Sequence, residues 1–158
     1  MKDLELFATA ELSEEGIVIP LKDVDGKLTE HWVKIRGTDS SAFKKAQATF
    51  RKKIMEIHEL ETANPSSDYS KQAELQTNKL LASLVIAWSF KDDDGKPYEC
   101  NEKNIIHVLK QAPILANEID EASARRRNFI KRSLSNSETL QDKSSSSNKS
   151  RKKAKSAN

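Results

Sequence analysis

Three histidines, one cysteine and two short acidic runs around glycine are the groups in this 158-residue chain with chemistry to offer. A metal centre needs ligands at short, fixed spacings. His31, His58 and His107 are far apart, and none stands beside a Cys, Asp or Glu at such a spacing. Cys100 follows Glu99 but has no evident base to activate its thiol. The acidic runs invite a calcium-loop reading, which requires an oxygen ligand first and a bidentate Glu twelfth, counted with Gly at position six. With Gly95 in that place, the ends are Phe90 and Asn101; with Gly26, they are Leu21 and Trp32. Both fail, so both are expected to be ordinary turns. There is no P-loop or dinucleotide fingerprint, and only four glycines are present to build one. The chain reads as non-enzymatic, with no cofactor and no metal.

A run of arginines, Arg125, Arg126 and Arg127, is the remaining chemical feature. Its sharper reading is a hook for nucleic acid or an acidic partner. The net charge of +3 does not support a nucleic-acid-binding domain, because the basicity is local. Residues 135–158 hold six basic and two acidic residues, so the other 134 residues sum to −1.

The elements that position these groups follow from hydrophobic pattern. The expected fold is mainly α: a small helical domain over 1–134 with a β-hairpin at about 16–36, then a disordered Ser/Lys-rich tail over 135–158. Gly16-Ile17-Val18-Ile19-Pro20-Leu21 reads as a strand, at an edge because Pro20 lacks a donor. Asp23-Val24-Asp25-Gly26 turns it back. In the return strand, His31, Val33 and Ile35 alternate with Trp32, Lys34 and Arg36. Phe43, Ala46, Phe50, Ile54 and Ile57 mark one face of a helix capped near Thr38–Ser40, with Lys44, Lys45, Arg51, Lys52 and Lys53 on a solvated face.

The longest apolar run, Leu80 to Phe90, predicts the buried half of a helix from about Tyr69 to Phe90. It is too short to span a bilayer. Asn101 is expected to cap a short helix, and Pro113 to open a last one reaching Phe129 and Ile130. Its early acids and late arginines suit the helix dipole. The first residues carry no secretory signal pattern, and a lone cysteine fits a reducing compartment.

The order of these signals resembles a known family. The hairpin ending Trp32-Val33-Lys34-Ile35-Arg36-Gly37-Thr38-Asp39-Ser40 precedes a basic amphipathic helix. Val85-Ile86-Ala87-Trp88, the turn Asp92-Asp93-Asp94-Gly95-Lys96-Pro97, Asn101-Glu102-Lys103-Asn104 and Pro113-Ile114-Leu115 follow. The set resembles the tail assembly chaperones of long-tailed, siphovirus-type bacteriophages. That resemblance implies a small factor of the host cytoplasm, absent from the finished virion. It would bind the tape measure protein, the tail tube protein or both, with self-association open. Partner contact is expected at Trp32, Trp88, Phe90, Tyr98 and Arg125–Arg127, partly by adding a strand to the hairpin edge. The competing readings are a small DNA-binding regulator and a structural tail-completion protein.

Overall fold

The computed structural model describes residues 2–131. Arg132, the expected domain end at 134 and the tail over 135–158 therefore lie outside the described residues. The chain begins with a 3-10 helix, Lys2–Leu6, and a short helix α1, Ala10–Glu15. Strands β1 (Ile17–Lys22) and β2 (Leu28–Ile35) form the expected hairpin. Helices α2 (Ser41–Ala63) and α3 (Ser70–Ala82), strand β3 (Val85–Trp88) and helices α4 (Glu102–Gln111) and α5 (Pro113–Ala124) complete it. A second 3-10 helix, Arg126–Phe129, follows.

Several expected signals act as read. Ser40 caps α2 by accepting from the Phe43 N–H, and Asn101 caps α4 by accepting from Asn104. Pro113 opens α5, where its missing donor costs nothing. The two acidic turns are near copies. In each, the leading aspartate, Asp23 or Asp92, accepts from the N–H groups two and four residues on. Gly26 and Gly95 supply the positive φ, 78° and 77°. These carboxylates are occupied by their own backbones, as in Asx turns.

The helix expected over 69–90 is corrected. It ends at Ala82, and Val85–Trp88 is a strand antiparallel to β2. The Ser83 hydroxyl donates to the Leu80 carbonyl, 2.6 Å, where the helix stops. Pairing then starts as the Arg36 N–H donates to the Leu84 carbonyl, 2.7 Å. Without β3, the inner strand would leave a row of backbone groups unpaired beside the fully buried Val33 and Ile35. Burial was anticipated and the element was not, since a short apolar run does not tell a buried strand from a buried helix. The two-stranded hairpin is thus part of a three-stranded sheet, order β1-β2-β3. The fold is mixed, helices plus a small antiparallel sheet.

The last helix is corrected too. It stops at Ala124, before Phe129. The Ser123 hydroxyl and the Asn128 amide donate to the Asp120 and Ala122 carbonyls, side-chain bonds that compete with helical continuation. None of its acids therefore lies in its first turn, and the arginines lie beyond its end, so the expected fit to the dipole is absent.

Ile17, Ile19, Leu21, Val33, Ile35, Val85 and Trp88 form the sheet's inner face, against Leu81 and Ala82 of α3, Ile105 and Leu109 of α4, and Leu115 and Ile119 of α5. A joint fastens the two ends. The Gly37 N–H donates to the Ser13 carbonyl and the Thr38 N–H to that of Ser123, while Glu14 accepts from the Ser41 N–H.

Candidate partner-binding surface

The aromatic residues divide between the two faces of the sheet. The register opposes Trp88 to Val33, so Trp88 points inward. Its ring stacks on Tyr98, centroids 5.7 Å apart and nearly parallel, and its Nε1–H donates to the Tyr98 carbonyl at 2.7 Å. Phe90 lies 5.3 Å from Trp88, and the His31 ring lies 5.6 Å from Phe90. This cluster closes the end of the core and pins the return from the Asp92–Gly95 turn. Phe90 and Tyr98 are half-buried within it. Trp88, Phe90 and Tyr98 are thus brought together, chiefly as packing.

Trp32 stands on the other face. It pairs with Pro20, while Val18 pairs with Lys34 and Lys22 with Leu28. These are the outward pairs. Trp32 is 36% exposed, Val18 58% and Leu28 68%. Among the described residues, helices cover one face of the sheet and leave this one open. Lys22 and the half-buried Lys34 stand among the apolar groups, and neither has an ion-pair partner among the described residues. An exposed apolar patch of this kind, rimmed by charge, is a recurrent mark of a protein-binding surface. Sequence reasoning singled out Trp32 and missed Val18, Leu28, Lys22 and Lys34. The signal was the alternation of Ile17, Ile19 and Leu21 with Val18, Pro20 and Lys22.

The edge of β1 has a different character from the one expected. The Ser89 N–H donates to the Trp32 carbonyl, and the Trp32 N–H to the Ser89 hydroxyl, so the Trp32 backbone faces β3. Its partner Pro20 is then in a non-hydrogen-bonded pair, and the position of its absent N–H faces the open edge. Proline there interrupts any strand laid alongside. The geometry disfavours strand addition at this edge of the hairpin; the sheet's other edge is β3.

The arginines form no joint hook. Arg126 grips Asp39 with two nitrogens, at 2.9 and 3.0 Å, and the Thr9 hydroxyl donates to the same carboxylate at 2.6 Å. The Arg126 guanidinium and the Thr9 hydroxyl hold the Asp39 carboxyl below its ordinary range. Arg125 pairs loosely with Glu121 at 3.4 Å. Arg127 is exposed, with no ion pair among the described residues. Burial raises the pKa of Cys100, which makes its thiol a poorer nucleophile. Among the described residues no group of His, Cys, Asp and Glu is arranged to hold a metal ion, and no helix is long and apolar enough to cross a membrane.

Fold and surface together define a small mixed domain with helices on one side of its sheet and an apolar, basic face on the other. No family model, curated protein or solved structure matches the chain.

Proposed function

We propose that this chain is a non-enzymatic tail assembly chaperone of a long-tailed bacteriophage, acting in the host cytoplasm. It binds the tape measure protein, the tail tube protein or both and keeps them soluble until the tube assembles. The observation that carries the reading is the open sheet face around Trp32, Val18, Leu28 and Pro20. A holding factor needs an exposed apolar surface and no catalytic group, and this face meets that need. The family resemblance of the hairpin and of the Trp88-to-Pro113 segment supplies the identity of the client. The DNA-binding alternative rests on Arg125–Arg127 and the tail over 135–158; the commitment of Arg126 to Asp39 weakens the first, and the second lies outside the described residues.

Co-expression with the tape measure and tube proteins of the same genome is the test. The client moves to the soluble fraction with the wild-type chain, and Trp32→Ala reduces that shift. A client equally insoluble with and without the chain overturns the reading. Recovery of the chain in purified particles would favour a tail-completion subunit instead.

A further inference from the structure

The first 3-10 helix, Lys2–Leu6, has no buried residue. Leu4 and Leu6 are exposed and Phe7 is 76% exposed, interleaved with Asp3 and Glu5. Neither acid has an ion-pair partner among the described residues. Among the described residues this is a short acidic-apolar segment with no buried side chain, and Lys131, ion-paired to Glu11, is the one cation whose charge reaches Glu5. The open sheet face has the complementary character: Trp32, Val18, Leu28 and Pro20 with Lys22 and Lys34, against the single acid Glu30. Each surface leaves apolar area in water that the other could cover, and the charges are opposite.

We propose that two copies of this chain dimerise by exchange, each seating its residue 3–7 segment on the other's open sheet face. Phe7 and the two leucines lie against Trp32, Pro20 and Val18. Asp3 and Glu5 meet Lys22 and Lys34. The segment is anchored at Thr9, whose hydroxyl bonds Asp39, and α1 is held to Gly37 through Ser13. Residues 2–8 thus form an arm reaching at most about 25 Å when extended. In its own chain the arm is a 3-10 turn with no buried residue, its leucines 56% and 51% exposed, so the exchange uncovers little apolar area. One segment on one face, repeated by a two-fold axis, gives a closed dimer and no open chain of copies. The pairing uses the face assigned above to the client, so the dimer keeps that face covered until a client displaces it.

Sedimentation of the full chain alone tests this, across a dilution series and at low and high salt. The wild type forms a dimer that loosens as salt rises. D3K/E5K and K22E/K34E each weaken the dimer by at least about a hundredfold, because like charges then face each other. Mixed in equal amounts, the two variants recover a dimer, since each reversed surface meets its opposite in the other chain. L4S/F7S weakens the dimer without repair by any charge variant. All these positions are exposed or half-buried, and circular dichroism confirms that the variants fold. A monomer at every concentration, a dimer untouched by the single-surface variants, or a mixture that stays monomeric overturns the proposal. No tail protein enters the measurement, so its failure is separate from failure of the proposed function.

Discussion

Trp32 and Trp88 answer to the same letter but face opposite sides of one sheet, and truncating them should separate packing from binding. Trp88 is 9% exposed, stacks on Tyr98 and donates to its carbonyl. Removing a buried aromatic side chain of this kind costs about 3–5 kcal/mol. Domains of this size, 130 described residues, have a total stability of about 6–20 kcal/mol at roughly 0.05–0.15 kcal/mol per residue. Trp88→Ala therefore removes a large fraction of it. Trp32 is 36% exposed and covered by no helix among the described residues, so Trp32→Ala should cost about 1 kcal/mol, the span of strand preferences. Urea unfolding followed by far-ultraviolet circular dichroism reads the difference, at low protein concentration so that self-association adds little. With a slope near ~2 kcal/mol per molar, Trp88→Ala lowers the midpoint by about 2 M and Trp32→Ala by about 0.5 M. The functional readouts reverse that order among folded variants: client solubilisation and dimerisation fall with Trp32→Ala. Equal destabilisation by the two substitutions would mean that something covers both faces, and the argument for an open surface would fail.

Two other perturbations address the joint that holds the chain's ends. A Cβ at Gly37 would overlap the Ser13 hydroxyl and press on Phe129 at 3.1 Å. Gly37→Ala should thus destabilise by about 1–3 kcal/mol through overpacking, with partial recovery in Gly37→Ala/Ser13→Gly; thermal melts that place Gly37→Ala level with wild type would contradict it. At Asp39 the folded-state pKa is held below its ordinary 3.8, so its ion pair stabilises above that value and the contribution is lost as pH falls through the folded pKa. Asp39→Asn should cost about 1 kcal/mol at neutral pH, small because Arg126 is largely exposed. The gap to wild type should close below about pH 4, and a gap that persists undiminished in acid would show that the ion pair is not its source.

The hairpin, the edge position of β1 and the capped starts of α2 and α4 were legible because each rests on local chemistry. Pro20, Asp23, Ser40 and Asn101 act through bonds made or forgone within a few residues. The Leu80–Phe90 run was not legible because its answer lies elsewhere. Its burial is the same in a helix or a strand, and only the free side of β2, some fifty residues earlier, requires Val85–Trp88 to extend. The end of α5 has a local part, the Ser123 and Asn128 bonds, and a part hidden for a like reason. Arg126 turns toward Asp39, which is 87 residues away, and no spacing within 113–130 announces that contact.

The Leu80–Phe90 run also accounts for the open face. As a helix, residues 83–90 could have lain across the hairpin and covered Trp32. As β3 they pair beside β2 and lengthen the sheet without shielding its outer side. The apolar stretch that first suggested a core thus does two things. Val85 and Trp88 complete that core, while β3 occupies the free edge of β2 and leaves β1, blunted by Pro20, as the edge next to the exposed Val18. β3 is itself the sheet's other edge, but the exposed apolar groups Val18, Leu28 and Trp32 lie on the outer face. That is why both the client and the residue 3–7 segment of another copy are assigned to the surface around Trp32.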